Sequence, residues 1–303
     1  MTEMHRDDWV GVMPAITTPL DEDFEINLEF MRRHARQMVD AGCTGIVTPG
    51  SLGEGGLLSL DEKRTIWSEL SAELDNRAPV IAAISALSTQ EAVDMASTAA
   101  EAGCRGLMIL PPYVYQGPWA EMKGHFSACL EATGLSSMLY NNPIAYGTDV
   151  LPAQIQELAS EHENLHAVKE SSGDIRRITA IRALMGDRLA IFAGIDDLIV
   201  EAIAAGATGW IAGLVNALPV ESVRLFDLAR AGEHDACREL YEWFLPLLAM
   251  DAVPEFVHLV KLCQQEFGLG IERVRAPRLP VTGELRERTL LAIAEAKMSH
   301  API

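Results

Sequence analysis

AGCTG, at Ala41–Gly45, is the first of three closely similar segments, and AGCRG at Ala102–Gly106 and AGATG at Ala205–Gly209 follow it along the chain. In each segment the first glycine can adopt the left-handed conformation that ends a helix, and the second glycine opens the apolar run that comes next. A joint of this kind, repeated along a chain, is typical of helices that alternate with strands.

Eight short apolar runs are separated by amphipathic stretches. The runs are Val12–Ile16, Gly45–Thr48, Val80–Ile84, Gly106–Leu110, Ser137–Tyr140, Leu165–Val168, Leu189–Phe192 and Gly209–Ile211. The helical candidates between and after them are Leu28–Ala41, Leu60–Leu74, Gln90–Ala102, Trp119–Ala132, Pro152–Ser160, Ile175–Leu184, Asp197–Ala205 and Val220–Ala229. Short buried runs separated by helices indicate βα units and a parallel sheet.

Eight βα units predict an α/β protein with a closed (β/α)8 barrel, the TIM barrel. A doubly wound open sheet is the alternative. It would need a glycine-rich dinucleotide loop after its first strand, and ITTPL at residues 16–20 occupies that place. The pattern changes after Ala231, where three helical candidates follow one another without a strand: Glu233–Met250, Val253–Phe267 and Gly283–Lys297. We therefore expect a barrel over residues 1–230 and a helical appendage, packed on it, over residues 231–303.

Composition narrows the class of protein. The formal net charge of −19 over 303 residues argues against nucleic acid or an anionic membrane as partner, since both attract basic surfaces. The start, MTEMHRDDW, has no apolar signal-peptide core, and no apolar run is long enough to cross a bilayer. The five cysteines are scattered without a CxxC pair, and the eight histidines have no metal-ligand spacing. We expect a cytoplasmic protein without a metal or other cofactor.

One lysine lies where a barrel enzyme carries its chemistry. In LHAVKESSGD, at Leu165–Asp174, Lys169 stands near the end of an apolar strand. Active-site groups of such barrels lie at the carboxyl ends of the strands. Burial disfavours the charged form of a lysine, and a partly neutral amine can form a Schiff base with a carbonyl substrate. The alternative is a lysine that reaches out of the strand and pairs with Glu170.

Other strand ends supply suitable companions. In GSLGE the residues Gly50, Ser51, Leu52 and Gly53 can direct backbone N–H groups inward and bind a carboxylate, although an ordinary glycine-rich turn has the same sequence pattern. Tyr140 ends the fifth apolar run, where its phenol can act as general acid and base or simply pack. The remaining strand-end residues include Thr17, Thr18, Tyr113, Gly194 and Ile211.

Together GSLGE, LYNNP and VKESSGD resemble the dihydrodipicolinate synthase / N-acetylneuraminate lyase family, whose members are Schiff-base aldolases and related lyases. The similarity runs from AITTPL near the N-terminus through AGIDD and GWIAGLVNALP to the C-terminal helices. It implies that Lys169 forms the Schiff base, that Tyr140 transfers protons and that Ser51 relays protons to Tyr140. It also implies that Gly194 and Ile211 line the pocket and that the protein is a homotetramer, a dimer of dimers.

The resemblance also implies that the amides of Ser51–Gly53 hold the carboxylate of a 2-keto or cyclic 2-imino acid. Two departures bear on which acid this is. Dihydrodipicolinate synthases usually have an arginine for a second carboxylate where YNNPIAYG has Ala145, and a tyrosine that enters the neighbouring subunit's site where PPYVYQG has Val114. Tyr115 is the candidate replacement for that tyrosine. Leu52, where a second hydroxyl is frequent, is a further departure.

YNNPIAYG and the later ERVRAPRLPVTGE resemble instead a subgroup of 1-pyrroline-4-hydroxy-2-carboxylate deaminases, which act in hydroxyproline breakdown. This is the function that we expect from the sequence. The alternatives are an aldolase or dehydratase of a 2-keto-3-deoxy sugar acid or a sialic acid, a dihydrodipicolinate synthase, and a non-catalytic keto-acid-binding protein. The stretch LVNAL at Leu214–Leu218 and the residues Ala145 and Ile195 are apolar for a sugar substrate with several hydroxyls.

Overall fold

Eight strands alternate with helices along the chain. The computed structural model describes residues 3–299 and 301–302. The strands are β1 (Gly11–Pro14), β2 (Ile46–Thr48), β3 (Val80–Ile84), β4 (Gly106–Ile109), β5 (Ser136–Asn141), β6 (Leu165–Glu170), β7 (Ala190–Ala193) and β8 (Gly209–Ala212). The helices are α1 (Leu28–Asp40), α2 (Leu60–Leu74), α3 (Thr89–Glu101), α4 (Trp119–Glu131), α5 (Pro143–Tyr146), α6 (Pro152–Glu161), α7 (Arg176–Met185), α8 (Ile199–Ala205), α9 (Pro219–Ala231), α10 (His234–Leu248), α11 (Phe256–Glu266) and α12 (Gly283–Ser299).

The strands close into a barrel. All the paired strands are parallel, and hydrogen bonding runs in the order β1-β8-β7-β6-β5-β4-β3-β2. A parallel bridge between Ala15 and Val47 joins the first and last members of this order, and the N–H of Ile16 donates to the carbonyl oxygen of Val47 at 3.0 Å. The predicted (β/α)8 barrel with C-terminal helices is therefore confirmed.

The glycine joints behave as their sequence predicts. Gly42, Gly103 and Gly206 have φ angles of +107°, +91° and +110°, in the left-handed region where only glycine is unstrained. The second glycine of the last joint, Gly209, begins β8, and a Cβ there would lie 2.3 Å from the Phe192 ring. These glycines therefore allow each helix to end sharply and the next strand to pack closely.

The C-terminal helices pack against the barrel. Val257 and Val260 of α11 belong to the same buried cluster as barrel residues such as Met13 and Ile211. Leu240 and Phe244 of α10 pack in the outer core between strands and helices. The division into units 1–230 and 231–303 stays a prediction, and residues 1, 2, 300 and 303 of those units lie outside the described residues.

Two helices differ from the sequence-based prediction for local reasons. The helix expected from Val253 begins at Phe256, because a 3-10 turn at Ala249–Ala252 precedes it and Pro254 follows. The short helix α5 was not predicted, since its four residues are too few to show a helical period. No helix in the described part of the chain is long and apolar enough to span a membrane.

Candidate active site

Lys169 lies inside the barrel near the end of β6. Its register partners are Tyr140 on β5 and Phe192 on β7. The lysine is 6% exposed, and its Nζ lies 4.1 Å from the centroid of the Tyr140 ring. The carboxylate of Glu170 accepts hydrogen bonds from the Ser172 N–H and from Asn141 Nδ2, at 2.6 and 3.1 Å. Lys169 therefore faces the phenol and does not pair with its chain neighbour.

The space around Lys169 depends on Gly194, which follows β7. A Cβ at Gly194 would lie 2.6 Å from Lys169 Cε and 1.9 Å from Ser171 Oγ. The Ser171 hydroxyl is buried and has no hydrogen-bond partner among the described residues. Ile211 on β8 is buried in the same inner cluster as Tyr140. Gly194 thus leaves room for Lys169, and Ile211 lies in the barrel interior; their role as pocket residues stays a prediction.

GSLGE forms a tight turn at the end of β2. The N–H of Glu54 donates to the Ser51 carbonyl oxygen at 3.1 Å, and the N–H of Gly55 donates to that of Gly50 at 2.9 Å. No described residue accepts a hydrogen bond from the backbone N–H groups of residues 51–53. As in the first turn of a helix, these amides are available to an anion.

The left-handed residue of this turn is Glu54, with a φ angle of +56°. The glycines serve close packing instead, because a Cβ on Gly55 would lie 2.2 Å from the Pro49 carbonyl oxygen and one on Gly53 would lie 2.8 Å from that of Ile16. The turn therefore exposes its amides by helical curvature.

A buried ion pair fixes the turn to α11. Lys261 and Glu54 are 1% and 2% exposed, and their Nζ and Oε1 atoms are 2.8 Å apart. Lys261 also donates to the Thr18 carbonyl oxygen at 2.9 Å, and the Thr18 hydroxyl donates to that of Gly53 at 2.6 Å. The second Glu54 oxygen accepts the N–H of Arg275 at 2.9 Å. The C-terminal region thus holds Glu54 directly and Gly53 through Thr18, at the carboxyl end of the amide-bearing turn.

A cluster of phenols adjoins the lysine. Tyr140 accepts a hydrogen bond from Asn142 Nδ2 at 2.9 Å. Its ring meets the Tyr146 ring edge-on, with centroids 5.8 Å apart, and Tyr146 lies 5.6 Å from Tyr113. The Ser51 hydroxyl forms a short hydrogen bond with the hydroxyl of Tyr146. Ser51 and Tyr140 therefore share Tyr146 as a neighbour.

Burial raises the pKa of Tyr146 well above its ordinary value, and the nearby hydroxyls of Tyr140 and Tyr113 add to this shift because a second negative charge beside them is unfavourable. Burial likewise raises the pKa of Tyr113. Both phenols are consequently protonated at neutral pH and can donate hydrogen bonds within the cluster.

The other predicted residues lie at the rim of the barrel. Tyr115 is 51% exposed, and its hydroxyl donates to Glu121 on α4 of the same chain. Val114 is 89% exposed and has a φ angle of +71°, and Ala145 is exposed on α5. The entry of Tyr115 into a neighbouring site stays a prediction.

Asp196 and Asp251 form an acidic pair beyond β7 and β8. Asp196 is fully buried and accepts hydrogen bonds from Trp210 Nε1 at 2.9 Å and from the Leu214 N–H at 2.7 Å. Burial raises the pKa of Asp196 to about 6, while these donors and the charge of Lys169 oppose the shift. Burial and the charge of Asp196 raise the pKa of Asp251. Asp196 thus caps the amides of Gly213 and Leu214, which follow β8.

Sequence reasoning missed Asp251, Asn142 and Tyr146. Asp251 comes from a 3-10 turn in the C-terminal region, and no strand-end pattern marks it. The other two lie within YNNPIAYG, where their proximity to Tyr140 in the sequence was the available signal. Among the described residues no group of three or more His, Cys, Asp or Glu side chains could hold a metal ion.

The geometry is that of a barrel-mouth site with a buried lysine, a phenol cluster and exposed amides. Residues 8–296 match the sequence model of the dihydrodipicolinate synthetase family. The chain belongs to this family. Its members are enzymes of the aldolase and lyase type that form a Schiff base between a lysine and the substrate and use no external cofactor.

Two curated relatives bear the name of a synthase, and one solved structure has the same fold. A 4-hydroxy-tetrahydrodipicolinate synthase from Xanthomonas axonopodis pv. citri is 36% identical over 227 residues, which are 75% of this chain and 74% of that protein. One from Exiguobacterium sp. is 31% identical and covers 97% of both chains. The crystal structure of a dihydrodipicolinate synthase from Bacillus anthracis is 28% identical, with a TM-score of 0.90 over 94% of this chain and 98% of that one.

Proposed function

We propose that Lys169 is the Schiff-base lysine and that the protein deaminates 1-pyrroline-4-hydroxy-2-carboxylate. The products are 2-oxoglutarate semialdehyde and ammonia. The observation that carries this choice is Ala145, an exposed methyl group on α5 next to the phenol cluster. A substrate with two carboxylates calls for a cation at this position, whereas the pyrroline has a single carboxylate, which the amides of residues 51–53 can bind.

The reaction begins with the lysine. The Lys169 amine attacks C2 of the cyclic imine, and the bond from C2 to the ring nitrogen breaks. This leaves a Schiff base on Lys169 and a primary amine on C5. Removal of a proton from C3 then expels the 4-hydroxyl group, which takes a proton from Tyr140 and leaves as water.

The remaining steps release the products. The unsaturated amine tautomerises so that C5 becomes an imine carbon. Water adds at C5 and releases ammonia, and water adds at C2 and frees Lys169 and the keto acid. Tyr140 can serve these steps because its ring lies against Lys169 Nζ and a hydrogen bond from Asn142 Nδ2 positions its hydroxyl.

The turn at residues 51–53 supports binding of the carboxylate. The protein carries a net charge of −19, so its overall field opposes an anionic ligand. Three adjacent amides at the end of β2 provide local attraction that does not depend on this field. Ser51, Leu52 and Gly53 are therefore the proposed carboxylate site, with Gly50 as the acceptor that closes the turn.

A second candidate is supported by the relatives, which bear the name 4-hydroxy-tetrahydrodipicolinate synthase. One set of assays separates the candidates. Purified protein should release ammonia from the pyrroline, and this activity should exceed both its synthase activity and its cleavage of 2-keto-3-deoxy sugar acids. Efficient synthase or sugar-acid activity without ammonia release would show the deaminase assignment to be wrong.

Borohydride trapping tests the lysine itself. Treatment with pyruvate or the pyrroline and borohydride should add the mass of the reduced adduct to the wild-type chain and not to Lys169→Ala. An adduct on Lys169→Ala, or full activity of that variant, would exclude the mechanism. A chain that forms no adduct at all would be a non-catalytic binding protein. We further infer a cytoplasmic homotetramer, on the family resemblance alone.

A further inference from the structure

The short helix α5 carries a phenol into the candidate site. Asn142 accepts the N–H of Ala145 at 3.0 Å and so starts α5, and Gly147 ends it with a φ angle of +72°. This single turn directs Tyr146 back toward Tyr140, only six positions earlier in the chain. Gln116 Nε2 donates to the Tyr146 carbonyl oxygen at 3.3 Å and helps to hold the turn.

Tyr146 lies between two residues of the proposed machinery. Its hydroxyl forms the short hydrogen bond with Ser51, and its ring meets Tyr140 edge-on at 84°. Tyr140 in turn lies against Lys169 Nζ. The order in space is therefore Ser51, Tyr146, Tyr140 and Lys169.

We propose that Tyr146 connects Ser51 to Tyr140 and thereby completes the proton relay of each active site within a single chain. The proposal rests on the proposed roles of Lys169 and Tyr140, and it holds for any substrate that this Schiff-base site accepts.

The residues at the rim support a relay inside one chain. Val114 has no hydroxyl group, and the Tyr115 hydroxyl is already bonded to Glu121 on the outer helix α4. The Ser51 hydroxyl has its phenol partner in Tyr146 of the same chain. A tyrosine from a neighbouring subunit is therefore not needed to supply this hydrogen bond.

The relay returns each of its hydroxyl groups to the protonated form after a transfer. When Tyr140 gives its proton to a departing hydroxyl group, water leaves and Tyr140 becomes a phenolate. The phenolate takes the proton of Tyr146, which takes that of Ser51, and the half-exposed serine recovers a proton from solvent. The reverse sequence carries away a proton that Tyr140 has accepted. Burial keeps Tyr146 protonated at rest, so a proton is available for the first transfer.

Deuterium exchange into pyruvate measures this proton transfer directly. A Schiff base of pyruvate on Lys169 loses methyl protons to form an enamine, and deuterium returns from D2O, so NMR reports the rate. We expect Tyr146→Phe to slow this exchange about 100-fold, the lower range for loss of one general acid–base group. The ring contacts remain, and the borohydride adduct on Lys169 should therefore keep its yield. A rate within about twofold of wild type would overturn the proposal.

Tyr241→Phe is the matched control, because it also removes one phenol hydroxyl, which bonds to Asp197 and Glu201 outside the phenol cluster. It should exchange pyruvate protons at the wild-type rate. If Tyr115→Phe is slow and Tyr146→Phe is normal, the relay uses the residue at the rim. Exchange does not require the pyrroline, so failure of the deaminase assignment would leave this result intact and the two failures are distinguishable.

Mixed assemblies test whether the relay lies within one chain. Lys169→Ala and Tyr146→Phe chains are co-expressed with different affinity tags. Two successive affinity steps then select assemblies that contain both variants. If Tyr146 serves its own chain, every site in the mixture lacks one residue, and the exchange rate per chain that carries Lys169 stays at the Tyr146→Phe level. Recovery above that level would place Tyr146 in a neighbour's site and overturn the proposal.

Discussion

At the scale of single residues, the site is defined by how much room each neighbour leaves for Lys169. Tyr140 covers one side of the amine at 4.1 Å, and Gly194 leaves space on another. The sequence predicts a site at the strand ends, because these converge in a barrel. The structure brings four of the predicted residues together at the mouth: Lys169, Tyr140, Ser51 and Gly194. Their catalytic roles remain proposals.

Gly194→Ala tests the room around the lysine. The new methyl group would lie 2.6 Å from Lys169 Cε, so the amine must move. A displacement of about 1 Å in such a site can lower the rate about 100-fold, and we expect a loss of this order in turnover and in borohydride trapping. Gly124→Ala on α4 is the control, since nothing lies within 4 Å of its new Cβ. Equal activity of the two variants would contradict the packing argument.

At the scale of elements, the amide-bearing turn is held by a helix more than two hundred residues away in the chain. Lys261 on α11 binds both Glu54 and the Thr18 carbonyl oxygen, and Thr18 binds Gly53. GSLGE predicted a turn with available amides, but nothing near it in the sequence indicated Lys261. Long-range ion pairs of this kind have no local sequence pattern, because only the packing of α11 against the mouth brings the charges together.

Lys261→Met removes one partner of this ion pair and leaves Glu54 buried without its countercharge. Breaking a buried pair in this way lowers the free energy of unfolding by about 3–5 kcal/mol. We also expect KM for carboxylate substrates to rise, because the amide-bearing turn is no longer held in place. Urea unfolding and steady-state kinetics measure the two effects.

The control for Lys261→Met is Lys63→Met, which replaces another buried lysine, 5% exposed, whose Nζ lies 3.8 Å from Met95 Sδ. Lys63→Met should change stability much less, since no buried carboxylate loses its partner. If both variants unfold at the same urea concentration, the ion pair with Glu54 is not what fixes the turn.

At the scale of the whole molecule, exposed apolar side chains gather on loops beside the barrel mouth. Leu87 after β3 is 66% exposed, and Val114 and Tyr115 after β4 are 89% and 51% exposed. Val114 is also β-branched with a positive φ angle, a conformation that costs free energy and persists where surrounding structure enforces it. We predict that a second copy of the chain covers these loops.

Val114→Asp should therefore weaken self-association, because it would place a charge in the covered surface. Light scattering after size exclusion should give a tetramer mass for wild type and a smaller mass for the variant at the same concentration. Leu291→Asp on α12, where the leucine is 59% exposed, should keep the wild-type mass. An unchanged mass for Val114→Asp would show that this surface does not form the contact.

The barrel can be predicted from the amino-acid sequence alone, because helical and strand periods and glycine joints are local properties. Lys169, Tyr140 and Ser51 are predicted as strand-end groups from their positions, and their roles come from the resemblance of GSLGE, LYNNP and VKESSGD to the family. Three contacts become visible only in the folded chain: Ser51 bonds to Tyr146, Glu54 pairs with Lys261, and Asp251 lies beside Asp196. These contacts depend on how loops and the C-terminal helices pack against the mouth, and packing between distant segments leaves no periodic trace in the sequence.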